Sequence, residues 1–519
     1  MNPAEPASHT EPPEKPADPA AVYAPELEAA CKNLGADASD LAHLLRFIHN
    51  KRVPRRQVPG LLKQAHIRLQ KQRDLLADGT IPAPRNPELA AMIERVQSVL
   101  QPGAAFSPES ASEDIEAACT GGIEHAEASD VIAALCGVQA GIAALRQDYR
   151  RAAEIYALAA DTPELPPALQ WRYQSDRAAV LEDLGREFGD GAALEEAIDL
   201  YENKLLDLAP QGERPDDWAA TQNSLGRTLG LLGQRQRGPW MLERAVEAFQ
   251  CALRERSRER APRDWAETQN NLGNALGILA QRQGDVDLLE KAVAAFESAL
   301  EVRRQDETSL DFATTQNNLG AALFSLGQRN KDARILKRSV DAYKEVLNVW
   351  TRAQAPLDWA MTMNNLGTAM QALGAYRKGP RTLEGSVGAF RSALAERTRE
   401  RLPQDWAMTQ NNLGAALQKL AERQAEPRIL AEAVAAFESA LEEWTRERAP
   451  INWAMTVANA GVARRTLAEW TQDAGTAEQA VSELEAATEL FQQASHAQYY
   501  ELALDQLAKA RKLSEALRG

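Results

Sequence analysis

Residues 405–424 read DWAMTQNNLGAALQKLAERQ and, after a short polar turn, residues 429–447 read ILAEAVAAFESALEEWTRE. In the first stretch Leu413, Leu417 and Leu420 fall at i, i+4 and i+7, one stripe of an α-helix, here helix A. In the second, Val434, Phe437 and Leu441 fall at i, i+3 and i+7, which gives an amphipathic helix B. The pair is not unique in the chain: an aromatic residue recurs at Trp218, Trp265, Phe312, Trp359, Trp406 and Trp453, always 47 residues apart. Gly226, Gly273, Gly320, Gly367, Gly414 and Gly461 keep the same interval, as do Phe249, Phe296, Tyr343, Phe390, Phe437 and Leu484. Six units in register occupy 217–499. Trp171 lies one period upstream, with Ala179 at the glycine position and Tyr201 one residue short of register, so 165–216 is read as a degenerate seventh unit.

Start signals agree with two helices per unit. Pro262, Pro356, Pro403 and Pro450 stand three residues before the aromatic, and Asp264, Asp311, Asp358 or Asp405 directly before it is expected to cap helix A. Asp264 and Glu267 have capping-box spacing. Gly226 and its counterparts sit inside a helix, where glycine costs up to about 1 kcal/mol against alanine, so a neighbouring helix must approach too closely for a side chain.

NNLGAAL followed by AVAAFESAL resembles the tetratricopeptide repeat, with its Leu-Gly on helix A and its Ala, aromatic, Ala on helix B. The usual period is about 34 residues; here the turn between the helices and the link to the next unit are longer. Long units of this form look similar to arrays in kinesin light chains and in bacterial proteins that join repeats to caspase-like or signalling domains. No such domain is legible here, and no effector role is carried over. The resemblance implies an all-α solenoid, a superhelix of stacked antiparallel hairpins. A single hairpin cannot bury its apolar face, stacking buries it, and the stack leaves a curved surface lined by the A helices.

That surface is where a partner would bind. Asn411 is two residues from Leu413, about 200° around the wheel, so it is expected to point away from the core with Met408, Ala415 and Gln418. Repeated across units, the position gives Asn223, Asn270, Asn317, Asn364 and Asn411, a series of amides suited to a peptide backbone or, alternatively, to bonds between helices. Met361, Met408 and Met455 add an adaptable apolar strip, or fill space between A helices. Asn274, Gln371 and Gln418 share the face. The second asparagine of each pair lies closer to the core stripe and is expected to pack between helices. The anchoring tryptophans are read as wedges between units. Basic residues on this face are few, chiefly Arg227, Lys419 and Arg465, so the cationic ladder by which some relatives clamp a carboxylate is missing.

Outside the repeats, residues 1–25 hold seven prolines and are expected to be a disordered tail. Helices follow over 26–85, in which Arg46 to Arg73 contains nine Lys or Arg and no acid. Lys51, Arg52, Arg55 and Arg56 are candidate contacts for an anionic partner, or simply a solvated face. Residues 86–164 are read as helical and repeat-like, and 500–519 as a polar-faced capping helix. The chain's net charge of -15 and the lack of aromatics beyond Phe47 among those basic residues disfavour nucleic acid.

Cys31, Cys119, Cys136 and Cys251 show no paired spacing, which fits a reducing compartment; with no signal peptide or spanning segment legible, a cytoplasmic protein is expected, and the resemblance to bacterial arrays implies a bacterial one. Phosphate-loop, zinc-protease and calcium-loop motifs are absent, so no cofactor, metal or catalytic residue is expected. The reading is a non-enzymatic scaffold or adaptor that takes a segment of a partner protein in its groove. The alternatives are a regulatory or sensor component of a bacterial signalling or defence complex, with the basic segment as output, and nucleic-acid binding through that segment.

Overall fold

The computed structural model describes residues 23–34, 36, 41–42, 45, 58–76, 86–100, 113, 115–120, 129–303 and 309–518. The described residues form helices and turns without a strand, and divide into two compact units, Met1–Leu165 and Pro166–Gly519. The tail up to residue 22 and the candidate contacts Lys51, Arg52, Arg55 and Arg56 lie outside the described residues.

The first unit contains α1 (Ala24–Leu34), α2 (Val58–Leu76), α3 (Pro87–Leu100), α4 (Ser129–Leu145) and α5 (Tyr149–Ala160). Helix α4 is buried almost all round, and its small residues admit close neighbours. A Cβ on Gly141 would stand 2.0 Å from the amide of Gln72 on α2. Arg68 of α2 donates to the Tyr149 hydroxyl at 3.1 Å, and its guanidinium lies 4.9 Å from that ring's centre. Cys119 and Cys136, unpaired by spacing, are both buried as free thiols.

The second unit is a series of hairpins. The A helices are α6 (Pro167–Phe188), α8 (Pro215–Arg235), α10 (Pro262–Gln283), α12 (Ser309–Arg329), α14 (Pro356–Ala375), α16 (Pro403–Gln424) and α18 (Pro450–Thr471). Their B partners are α7 (Gly191–Leu200), α9 (Trp240–Glu255), α11 (Val286–Leu300), α13 (Ala333–Val349), α15 (Arg381–Leu394), α17 (Pro427–Leu441) and α19 (Ala474–Gln493). The closing helix α20 is Ala497–Arg518. Each A helix packs on its own B helix; from α8 onward it also packs on the B helix before it, and from α6 to α16 on the next A helix.

The repeated glycine has the role its position demands. A Cβ on Gly226, Gly273, Gly320, Gly367 or Gly414 would come within about 2.8 Å of the aromatic ring of its own B helix, Phe249, Phe296, Tyr343, Phe390 or Phe437. Ser339 and Ser386 tighten the hairpin, donating to the carbonyls of Gly320 at 2.7 Å and Gly367 at 2.6 Å.

Helix A starts earlier than the aspartate signal suggested. Pro262, Pro356, Pro403 and Pro450 are the first helical residues, after the non-helical Ala261, Ala355, Leu402 and Ala449. Proline's fixed φ and missing N–H suit that place. Asp264, Asp358 and Asp405 therefore lie inside the first turn, where their charge meets the positive helix end without capping it. No capping box forms at Asp264. Side-chain capping belongs to the B helices, where Asp190, Asp285, Asp332 and Asp473 accept from first-turn amides.

The degenerate unit also departs from the sequence register. Gly185 abuts Leu194 as Gly233 abuts Leu242, both nine residues apart, which aligns this hairpin at an offset of 48 (233 − 185). Ala178, fully buried, thus takes the place of Gly226, and Tyr201 that of Phe249. A π-helical turn at Tyr201–Leu205 absorbs the extra residue and restores the interval of 47 by Trp218.

Candidate functional site

The A-helix face was expected to expose the first asparagine of each pair, and it does so only in part. Asn223, Asn270 and Asn364 are buried, while Asn317 and Asn411 are half-buried. The cause is the close approach of successive A helices, which draws this position into the seam between units. Asn271, Asn318, Asn365, Asn412 and Asn459 donate across that seam to the Oδ1 of Asn223, Asn270, Asn317, Asn364 and Asn411, at 3.1–3.4 Å. Thr456 also donates to Asn411 Oδ1 at 3.3 Å.

This orientation fixes the other end of each amide. Asn364 Nδ2 faces Asn365 Oδ1 at 3.5 Å, at the limit of a hydrogen bond. The Nδ2 groups of Asn223, Asn270, Asn317 and Asn411 have no acceptor among the described residues, and none of them is fully sealed from solvent. A donor without an acceptor thus recurs along the seam.

Flanking residues are more open. Asn274 is exposed, Gln371 and Gln418 are half-buried, as are Met361 and Met408, and Met455 is 37% exposed. Gln418 donates to Glu422 at 3.2 Å, whereas the buried Nε2 of Gln371 has no partner. Met361 and Met408 also touch the small clusters around Trp350 and Trp444, so they are partly packing residues.

Of the basic residues expected here, Arg227 is already engaged. Its Nε and Nη2 donate to Glu182 at 2.9 and 3.1 Å, and Thr228 adds a bond at 2.8 Å. Glu182 is almost fully buried and raises the Arg227 pKa, fixing the guanidinium as a cation. Lys419 is exposed and Arg465 half-buried.

The tryptophans are half-buried, and three of them lie under an arginine from the preceding link: Arg352 over Trp359 at 5.6 Å, Arg399 over Trp406 at 5.7 Å, Arg446 over Trp453 at 5.6 Å. Such contacts belong to the joints between units.

Sequence reading missed the end of the face. A cavity of about 230 Å³ opens between α18, α19 and α20, lined by Met455, Val462, Leu484, Phe491, Tyr499 and Leu502. Leu502 is 59% exposed and Leu504 41%, so α20 is less polar outside than its composition suggested. The available signal was Val462, which stands where earlier units carry Arg227, Asn274, Ala321, Thr368 and Ala415. Among the described residues no cluster of His, Cys, Asp and Glu is arranged to hold a metal, and no helix is long and apolar enough to cross a membrane.

The profile of the tetratricopeptide repeat family matches residues 265–306 and 312–349. Comparison with curated proteins gives no match. Among solved structures, the C-terminal part of a TPR repeat-containing protein from Cytophaga hutchinsonii is 14% identical, with 59% of this chain and 93% of that one covered and a TM-score of 0.37. A Rap protein complexed with competence and sporulation factor is 13% identical, with 79% and 99% covered and a TM-score of 0.37. BtubC (BKLC) from P. vanneervenii is 20% identical, with 52% and 94% covered and a TM-score of 0.33. The repeat assignment rests on the family profile and on the helix pairs themselves.

Proposed function

We propose that this chain, which carries tetratricopeptide repeats, is a non-catalytic scaffold that takes an extended segment of a partner protein along the A-helix face of its second unit. The supporting observation is the recurrent amide: Oδ1 held by the next unit, Nδ2 without an internal acceptor at Asn223, Asn270, Asn317 and Asn411. An unsatisfied donor in a low-dielectric seam gains from a carbonyl brought to it, and an extended peptide carries carbonyls at regular intervals. Neighbouring A helices stand about 8–10 Å apart and a strand advances about 3.3 Å per residue, so each unit would read about three residues.

Charge decides what kind of segment. Arg227 is neutralised by Glu182, so the face lacks the row of cations that would favour an acidic C-terminus. Met361, Met408 and Met455, with the exposed amide of Asn274 and the half-buried one of Gln418, suit a segment of mixed polar and apolar side chains that ends at the Met455–Leu502 cavity. A scaffold of this kind needs no cofactor.

The test is site-specific photocrosslinking. A photoreactive residue at Asn274 or Gln418 is expected to capture the partner, while the same residue at Ala431, exposed on α17, is not. Capture at Ala431 alone, or equally at all three, would sink this reading.

A further inference from the structure

A second cavity of the repeat unit, about 470 Å³, lies between α13, the end of α14 and the turn into α15. Lys337, Lys344, Arg377 and Arg381 line it, with Asp341 the one acid among its lining residues. Lys337 holds Asp341 at 2.5 Å, whereas Lys344, Arg377 and Arg381 have no carboxylate partner among the described residues. Val340, Met370 and Leu373 form an apolar floor. In a chain of net charge -15 this concentration of unpaired cations runs against the background.

The sister units show what the fold does elsewhere at the same positions. One repeat before Lys337 stands Glu290, two before stands Glu243, and one after stands Glu384. Glu243 accepts from Gln283 at 3.0 Å, and Glu384 from Gln424 at 3.0 Å. The position equivalent to those glutamines is Arg377, so a hydrogen-bonded Glu–Gln pair becomes Lys337 opposite Arg377, two cations. Lys344 follows the same pattern: its counterparts Glu297 and Arg391 are each ion-paired, with Arg338 and Glu432. Asp341 offsets Lys337 alone, so Lys344, Arg377 and Arg381 remain as like charges, which repel unless an anion lies between them. The start of α15 leaves its first amides to an incoming acceptor: it follows Pro380 with no side-chain cap, as α9 and α17 also lack one.

We propose that this cavity binds a phosphorylated small molecule of nucleotide size. Its phosphoanhydride oxygens meet Lys344, Arg377, Arg381 and the first-turn amides of α15, and its apolar body rests on Val340, Met370 and Leu373. Arginine forks suit phosphate oxygens, and an uncapped helix start favours negative charge. The volume lies in the range of small-ligand sites. The site is separate from the asparagine series and stands or falls without it.

The experiment is calorimetric titration of the full chain with inorganic pyrophosphate and with ADP. Both are expected to bind saturably at one site, ADP the more tightly because the floor covers its base. The double variant Lys337→Glu, Arg377→Gln restores the sister-unit pair and so keeps the fold, which an unchanged or raised thermal midpoint without ligand verifies. It is expected to weaken ADP by at least about tenfold. Arg237→Gln, in the other Gly-Pro turn, leaves affinity unchanged. No saturable binding of either probe at millimolar concentration, or equal ADP affinity in the double variant, overturns the site; pyrophosphate binding as tightly as ADP overturns the nucleotide-sized ligand.

Discussion

Gly367 and Gly277 have the same helical surroundings and opposite space. A methyl group on Gly367 would stand 2.8 Å from the Phe390 ring, which is fully buried and cannot yield, whereas one on Gly277 meets nothing within 4 Å. Gly367→Ala is therefore expected to destabilise by about 1–3 kcal/mol, as overpacking does. Gly277→Ala should stabilise by up to about 1 kcal/mol through helix propensity. Urea midpoints of the two variants against wild type check both signs, and a stabilising Gly367→Ala would contradict the hairpin packing. Arg227 tests the opposite kind of residue, a polar one at the seam. Arg227→Met leaves Glu182 buried with only Thr228 and, at 3.5 Å, Arg186 to hold its charge. The expected loss is about 2–3 kcal/mol, below the roughly 3–5 of a wholly abandoned buried charge because those two contacts remain. Glu182→Gln with Arg227→Met should recover part of that loss, because the buried charge is then gone.

Capping separates the two helix types. Asp285 accepts from the amides of Asp287 at 2.8 Å and Leu288 at 3.3 Å, so Asp285→Ala is expected to destabilise by about 1 kcal/mol. Glu426 stands at the same place before α17 without a side-chain cap, and Glu426→Ala should leave the midpoint unmoved. Asp473 adds a pH dependence. The hydroxyl of Thr476, then the amides of Gly475 and Thr476, hold its carboxyl below the usual carboxylate range. A depressed folded-state pKa stabilises above the unfolded value, about 3.9, and that contribution fades as pH falls through the folded one. The midpoint difference between wild type and Asp473→Asn should accordingly shrink on acidification below about pH 4; a difference independent of pH would assign the cap to the neutral amide equally well. At this scale the sequence was legible where a side chain has one place to go. The recurrent glycine opposite an aromatic is such a case, since only contact at van der Waals distance explains it. It was not legible where several residues compete: Asp405 has the chemistry of a cap, but Pro403 starts the helix first. The π-turn at Tyr201–Leu205 showed only as a residue out of step.

In an array, each hairpin's stability comes from itself and its two neighbours, so damage should stay local. The hydrophobic clusters of the second unit bear this out in their membership: Leu383 to Ala463 in one, Leu336 to Leu373 in another, each spanning adjacent hairpins. The same locality explains why architecture was easier to read than site. A period of 47 is imposed on every unit, whereas the Lys337–Arg377 exchange occurs once and shows only when units are laid side by side. The asparagine series was visible in sequence, but a wheel describes one helix and says nothing of the next, which is what buries Asn223 and Asn270. The end of the array offers the sharpest test of locality. Helix α20 covers Leu484 with Leu507 and Ala510, and Phe491 with Ala503. A chain ending at His496 would leave Leu484 and Phe491, both now buried, open to water on one side. Hydrogen exchange should then accelerate strongly in α18 and α19 and hardly at all in α12 to α15, three or more helices away, while dye binding to exposed apolar surface rises. If protection in α12 to α15 falls as far as in α19, the unit unfolds as one body, and nearest-neighbour packing is not what holds it.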